Sequence, residues 1–98
     1  MTSQSTEPDR AEKSQWFVYL VRCADRSLYA GVTTDCVRRE NEHNGRGSGG
    51  ARYTQARRPV QLVWFEKCVD RSAACKREAA IKKLSRPKKL LLLQAVTG

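Results

Sequence analysis

The chain has 98 residues and a formal net charge of +9, from 19 lysine and arginine residues against 10 aspartate and glutamate residues. This length leaves room for one domain with a modest core and excludes a second domain or long insertions. The basic excess is uneven, because residues 71–89 contain eight lysines or arginines and one acidic residue, Glu78. Such a patch attracts polyanions, so nucleic acid is the leading partner; the alternative is an ordinary solvated helix face.

The four cysteines include no C-x-x-C pair, and only one histidine accompanies them; the cysteines are Cys23, Cys36, Cys68 and Cys75. This pattern argues against a structural zinc site. We find no signal peptide before them and therefore expect free thiols and a cytoplasmic location. The longest apolar run, residues 90–93, is far below the roughly 20 residues that a membrane span requires, so no membrane partner is expected.

The predicted elements begin after a polar stretch. Residues 1–14 lack hydrophobic periodicity, which predicts a disordered leader followed by a single domain over residues 15–98. Residues 16–21 are aromatic and β-branched, and a second run of this kind spans residues 28–32. Together the two runs predict a β-hairpin.

The register of this hairpin decides which side chains share a face. Side chains alternate along a strand, so a loop of odd length places Tyr19, Tyr29 and Gly31 on one face, whereas a loop of even length separates them. We expect the odd loop.

A first helix is predicted over residues 36–44, with capping residues before it and Gly45 after it. Its positions 36, 39, 40 and 43 share a face but carry Cys, Arg, Glu and His, which predicts a polar surface beside a wet cleft. Residues 45–58 contain four glycines, four arginines and no acidic residue, which predicts a mobile loop able to follow a phosphate backbone.

The second half of the chain predicts one strand and two helices. Residues 60–65 are almost continuously apolar, which indicates a largely buried strand at the sheet centre or at a covered edge. Asp70 or Ser72 can cap a second helix, and Pro87 starts a third that runs to about Val96. The resulting order, β-β-α-β-α-α, predicts an α/β sandwich in which helices pack on a three-stranded mixed sheet.

One set of side chains has the chemistry to cut a phosphodiester bond, since it could move a proton, neutralise phosphate charge and hold a metal ion. The set consists of Tyr19, Tyr29, Gly31, Arg39, His43 and Glu78. Each member also has an ordinary structural interpretation. Strand tyrosines usually pack in the core, and Glu78 with Lys82 has the spacing of a surface ion pair.

Four motifs in order carry a resemblance to a known family: Y-x-G-x-T-x-D, R-R-x-x-x-H-N, G-A-x-Y-T and R-E-x-x-I-K-x-L, at residues 29–35, 38–44, 50–54 and 77–84. With Tyr19 in the first strand, they resemble the GIY-YIG nuclease superfamily over about residues 16–84. The match is nearest to its small single-domain bacterial branch.

The resemblance implies cleavage of DNA with a single divalent ion, Mg²⁺ or Mn²⁺. It makes Tyr19 the proton acceptor that activates water, and it gives the Tyr29 hydroxyl the task of orienting water or phosphate. Gly31, by lacking a side chain, would let a helix or a phosphodiester approach the strand closely.

In the same scheme, Arg39 would donate hydrogen bonds to the phosphate oxygens. His43, one helical turn later, would share proton transfer or contact phosphate. Glu78 would bind the metal with a carboxylate oxygen, and water and phosphate would supply the other ligands.

The expected enzyme is a monomeric DNA endonuclease of low sequence specificity, with a role in DNA repair or processing. Its candidate phosphate-backbone contacts are Arg46, Arg52, Arg57, Arg58, Lys82, Lys83, Lys88 and Lys89. RNA as substrate and a partner protein stay open. Two other classes also stay open: a non-catalytic nucleic-acid-binding or adaptor protein with the same fold, and a protein-interaction module that uses residues 90–96.

Overall fold

The computed structural model describes residues 15–46 and 49–97, so the predicted leader, residues 1–14, lies outside the described residues. The elements are, in chain order, β1 (Trp16–Arg22), β2 (Leu28–Thr33), α1 (Cys36–His43), α2 (Arg52–Gln55), β3 (Gln61–Cys68), α3 (Arg71–Lys82) and α4 (Arg86–Thr97). The α/β class and the predicted order of the longer elements are confirmed. The four-residue helix α2 is an addition.

The three strands form a sheet in the order β2-β1-β3, and β1 pairs antiparallel with both neighbours. The predicted mixed sheet is therefore wrong. The strand at the centre is β1, whose residues Val18 and Leu20 on one face and Tyr19 and Val21 on the other are all buried. Strand β3 lies at an edge, and its Phe65 is 53% exposed, so the prediction that this strand is buried on most of its surface is also wrong.

The hairpin register places the predicted site residues on one face. Residues 23–27 form the loop between β1 and β2, and Arg22 pairs with Leu28. Tyr19 consequently lies opposite Gly31, and Val21 lies opposite Tyr29. The prediction of an odd loop is confirmed.

The two faces of the sheet hold separate cores. On one face, helices α3 and α4 cover a cluster formed by Val18, Leu20, Ala30, Trp64 and Ile81. The leucine run of α4 is divided, because Leu92 and Leu93 pack against this cluster whereas Leu90 and Leu91 are exposed. On the other face, towards α1, a second cluster is formed by Tyr19, Val21, Cys23 and Val60.

Side chains at the helix ends explain where the helices begin. Asp35 caps α1 by accepting a hydrogen bond from the Arg38 backbone N–H at 3.0 Å. Of the two candidates for the next long helix, Asp70 is the cap, and it accepts from the Ala73 N–H at 2.8 Å. After α1 the chain turns at Gly45, whose φ of +89° is easily adopted by glycine.

The segment predicted as a mobile loop, residues 45–58, is held to α1 in its described part. Residues 49–58 include α2, whose Thr54 side chain is fully buried. Arg58 Nε donates to the main-chain oxygen of His43 at 2.6 Å. The Asn44 side chain bonds both the N–H and the carbonyl of Val60, at 2.7 and 2.9 Å. These polar contacts hold in place a segment whose glycine and arginine content alone predicts a mobile loop.

Candidate active site

The phenol of Tyr19 lies on the α1 face of the sheet, in the space that Gly31 leaves open. A Cβ atom built on Gly31 would lie 2.6 Å from Cζ of Tyr19, well inside van der Waals contact. The close approach expected at this glycine is therefore real. The group that approaches is the Tyr19 ring from the adjacent strand, and not a helix or a substrate.

Tyr19, Arg39 and His43 are joined by hydrogen bonds. The Tyr19 hydroxyl lies 2.8 Å from His43 Nε2, and Arg39 Nε donates to the same hydroxyl at 3.3 Å. The other ring nitrogen of His43, Nδ1, lies 2.9 Å from Oγ1 of Thr54. The structure thus brings together the central strand, α1 and α2 around a phenol and an imidazole that are almost completely buried.

Burial keeps this tyrosine and this histidine uncharged near neutral pH. It raises the pKa of Tyr19 to about 12; the hydrogen bond from Arg39 opposes this effect, and the charge of Glu78 adds to it. Burial also lowers the pKa of His43 to about 4, and the positive charge of Arg39 acts in the same direction. In the resting state the pair is a neutral phenol beside a neutral imidazole.

Arg39 is fixed in place by groups around it. Its Nη1 donates to Glu42 Oε1 at 2.9 Å and to the carbonyl of Gly49. Its Nη2 makes no hydrogen bond within the described part of the chain, and the side chain remains 24% exposed. Arg39 therefore presents one edge of a preorganised guanidinium to an incoming anion.

Tyr29 contributes its ring to the wall of the site. The ring meets His43 edge-on at 5.5 Å between centroids and stacks on Tyr53 at 5.4 Å. The guanidinium carbon of Arg57 lies 4.0 Å from the centre of the Tyr53 ring. The described contacts of Tyr29 are ring contacts, so its predicted role in orienting water or phosphate stays a prediction.

Glu78 lies on α3. This helix packs on the opposite face through Ala74 and Ile81, but Glu78 Oε2 pairs with Lys82 Nζ at 3.2 Å. Lys82 Nζ in turn lies 5.9 Å from the centre of the Tyr29 ring, beside edge strand β2. The charge of Glu78 is the smallest of the effects on the pKa of Tyr19, so the predicted meeting of this carboxylate with the hairpin tyrosines stays a prediction.

The described residues around the site form no ready-made metal cage. Among residues 15–46 and 49–97, no group of three or more His, Cys, Asp or Glu side chains is placed to hold an ion. Glu78 is a hard oxygen donor that is 21% exposed. Such a donor fits an ion that takes its remaining ligands from water and phosphate, as Mg²⁺ does in phosphoryl-transfer sites.

The predicted wet cleft beside α1 is wrong. His43 is fully buried, and Glu40 Oε2 accepts a hydrogen bond from the Leu62 backbone N–H at 2.7 Å. Cys36 packs against the cluster around Tyr19, and all four cysteines of the chain are free thiols. Three polar groups of the stripe find partners on the sheet: Arg39 and His43 contact the Tyr19 hydroxyl, and Glu40 contacts the Leu62 N–H.

The predicted phosphate contacts divide into two groups. Arg46, Arg57, Arg58 and Lys82 have partners in the fold: Arg46 bonds Asn41 at 3.2 Å and Arg57 bonds Asp25 at 3.0 Å, while Arg58 and Lys82 make the contacts described above. The other four are Arg52, Lys83, Lys88 and Lys89. Lys89 is half-buried, and the other three are exposed.

Sequence reasoning assigned no role to several residues around the site. Thr54 and Tyr53 belong to the motif at residues 50–54, so a signal for them existed. A further basic cavity of about 480 Å³ lies at the hairpin tip, and its lining includes Arg22, Arg26 and Arg86. Arg22 and Arg26 belong to the same hairpin, whereas Arg86 lies 60 residues after Arg26, and no local pattern indicates that it meets them.

Comparison with known proteins agrees with this geometry. A family model described as the GIY-YIG catalytic domain matches residues 15–90. A UPF0213 protein of Desulfotalea psychrophila is 54% identical over 92 residues, covering 94% of this chain and 80% of that protein. A UPF0213 protein of Listeria monocytogenes is 51% identical over 79 residues, covering 81% of this chain and 86% of that protein.

Two solution NMR structures are also similar. A protein from E. faecalis shares 41% identity with a TM-score of 0.57, covering 87% of this chain and 88% of its own. A UPF0213 protein from Bacillus halodurans shares 38% identity with a TM-score of 0.53, covering 83% of this chain and 84% of its own.

The chain therefore belongs to the GIY-YIG catalytic-domain family, in a small single-domain branch that includes the UPF0213 proteins. This is a nuclease-type family, so its substrates are nucleic acids. Within the described residues, no helix combines the length and the apolar character that crossing a membrane requires.

Proposed function

We propose that this protein is a divalent-metal-dependent endonuclease that hydrolyses DNA with little sequence preference, in DNA repair or processing. We also propose that it works as a monomer in the cytoplasm. The observation that carries the proposal is the position of the Tyr19 hydroxyl, which is held between Arg39 Nε and His43 Nε2. The charge of the Glu78 carboxylate also contributes, as the smallest of the effects, to the raised pKa of this phenol.

Tyr19 is proposed to take a proton from the attacking water. A phenol with a pKa of about 12 keeps its own proton, so it can accept another only if its first proton leaves at the same time. His43 Nε2 is the acceptor in hydrogen-bond contact. A phosphate bound at Arg39 would offset the positive charge that disfavours protonation of His43, which would make this transfer easier when substrate is present.

Arg39 and Glu78 are proposed to act on the phosphate. The open edge of the Arg39 guanidinium would donate to the phosphate oxygens, whose charge grows as water attacks. Glu78 would hold Mg²⁺ or Mn²⁺, and the bound ion supplies charge neutralisation and a more acidic water. Tyr29 and Gly31 would shape the wall around the Tyr19 hydroxyl.

The affinity of the protein for the phosphate backbone of DNA is proposed to come from basic residues on its surface. The eight candidates remain Arg46, Arg52, Arg57, Arg58, Lys82, Lys83, Lys88 and Lys89. Phosphate contacts position a protein on DNA without reading its bases, which supports low sequence specificity. Each contact removed should lower the slope of log affinity against log salt by about 1.

A plasmid-nicking assay tests the proposal with Mg²⁺ or Mn²⁺ present. We expect Arg39→Ala to lower the rate by about 10²–10³-fold, since it removes a preorganised donor, and Glu78→Ala to abolish metal-dependent nicking. Two matched controls should nick like the parent. Arg38→Ala removes the neighbouring arginine, which also pairs with Glu42, and Glu66→Ala removes an exposed carboxylate that pairs with Arg77.

The outcomes separate the alternatives. Equal nicking by the parent, Arg39→Ala and Glu78→Ala would mean a contaminant or a misplaced site. The non-catalytic nucleic-acid-binding alternative would be established by two results together. The parent protein would fail to nick with every divalent ion tested, and its affinity for DNA would be unchanged by chelator and by Glu78→Ala. Cleavage of RNA but not of DNA would mean that the proposed substrate is wrong and that the proposed hydrolytic mechanism still applies.

A further inference from the structure

Thr54 is a fully buried polar residue in direct contact with the imidazole of His43. Its hydroxyl oxygen lies 2.9 Å from the carbonyl oxygen of Ala51 and 2.9 Å from His43 Nδ1. A carbonyl can only accept a hydrogen bond, and a hydroxyl has one proton to donate. With the Thr54 proton on the hydrogen bond to Ala51, whose carbonyl also accepts the Thr54 and Gln55 N–H groups, Oγ1 is left to accept a hydrogen bond from His43 Nδ1–H.

The hydrogen bonds of Tyr19, at the other end of the network, lead independently to the same His43 tautomer, with the proton on Nδ1. The Tyr19 hydroxyl already accepts a hydrogen bond from Arg39 Nε–H, so its own proton needs an acceptor. Tyr19 is 1% exposed, and the acceptor in contact with its hydroxyl is His43 Nε2. Nε2 must therefore be unprotonated. The other tautomer would leave a buried phenol proton unpaired, which is costly.

We propose that Thr54 is a positioning residue of this site: by accepting Nδ1–H, it holds His43 in the tautomer whose Nε2 faces Tyr19 as a proton acceptor. The effect of Thr54 on catalysis rests on the proposed nuclease function. The assignment of the His43 tautomer does not depend on that function. In the reaction, a water O–H bond breaks as its oxygen bonds phosphorus and the proton passes to the Tyr19 oxygen. The Tyr19 proton passes to Nε2, the P–O bond breaks, and the leaving oxygen takes a proton from a second water. The imidazolium, still bonded to Thr54, then returns its proton through Tyr19 to the hydroxide formed from that water.

The single histidine of the chain makes this inference directly measurable. Protein labelled with ¹⁵N-histidine gives one pair of imidazole nitrogen signals, and two-bond ¹H–¹⁵N correlation at pH 7 shows which nitrogen carries the proton. We expect the proton on Nδ1 in the parent and in Thr54→Ser. In Thr54→Val, which keeps the shape and loses the hydroxyl, we expect a tautomer mixture or the proton on Nε2.

Kinetics supply a second measurement. Thr54→Val should lower kcat for nicking by on the order of 10²-fold, the size of an acid–base contribution, with KM unchanged. Thr54→Ser should restore most of the rate. Thr33→Val is the matched control, because Thr33 is also buried and its hydroxyl bonds the Asp35 main chain outside this network; it should change neither the tautomer nor kcat.

A proton on Nε2 in the parent would overturn the proposal, and so would an unchanged tautomer in folded Thr54→Val. If Thr54→Val does not fold, the parent and Thr54→Ser spectra decide. A parent without nicking activity would end the nuclease proposal but leave the tautomer measurement valid. Nicking by a parent that carries its proton on Nε2 would end only the role of Thr54.

Discussion

The neutral, buried state of His43 predicts a specific loss of stability in mild acid. The unfolded chain binds a proton at the ordinary histidine pKa of 6.5, whereas the folded chain does so only at about 4. Between these values the unfolded state holds the extra proton, so the stabilising contribution is complete above pH 6.5 and is lost as pH falls towards 4. The slope is about 1.4 kcal/mol per pH unit, which gives about 3 kcal/mol over the window.

This loss is a large share of the 5–15 kcal/mol by which domains of this kind are usually stable. We would measure the free energy of unfolding in urea from tryptophan fluorescence at pH values from 4 to 7. The comparison is with His43→Gln, whose uncharged amide can still contact Tyr19 and Thr54. Carboxylates titrate in both proteins and cancel in the difference, so the stability advantage of the parent over the variant should shrink by about 3 kcal/mol on acidification.

A difference that stays constant from pH 7 to pH 4 would refute this reasoning. It would mean that His43 can take up a proton in the folded state at its ordinary pKa, and therefore that it is not enclosed between Tyr19 and Thr54 as described.

Three further substitutions test the packing around the site by urea unfolding. Gly31→Ala should cost about 1–3 kcal/mol, because the added methyl overlaps the Tyr19 ring; a neutral effect would mean that the ring lies elsewhere. Glu40→Ala should cost about 1–3 kcal/mol by removing the acceptor of the Leu62 N–H, and Glu40→Gln, which keeps an oxygen, should cost much less. Asp70→Ala should cost about 1 kcal/mol through loss of the helix cap and leave nicking unchanged, so reduced nicking in a folded variant would contradict the assigned site.

The face on which the hairpin tyrosines lie could be predicted because it depends only on alternation and on whether the loop is odd. The position of each strand in the sheet could not. Residues 60–65 are as apolar as a central strand, yet Phe65 is exposed at an edge while β1 is buried on both faces. Apolar content indicates that a strand packs against something, and it does not show how many neighbours that strand has.

The site was predictable to a similar extent. Helical spacing places Arg39 and His43 on one face, and the family resemblance directs that face to the hairpin. The burial of His43 was not predictable, since it depends on the hydroxyl of Thr54, which comes from a segment without hydrophobic periodicity. Glycine at position 31 indicated a close approach, but only the pairing of Tyr19 opposite Gly31 identifies the approaching group.

The alternation along β1 gives an engineer two almost independent design problems on one strand. Val18 and Leu20 face the helices α3 and α4, so apolar substitutions there change the packing of that core and with it the resistance of the protein to heat. Tyr19, between them, faces the opposite layer, so its hydroxyl would keep its surroundings through such changes. Thermal resistance could then be improved without altering the reactive groups, provided that the strand keeps its register.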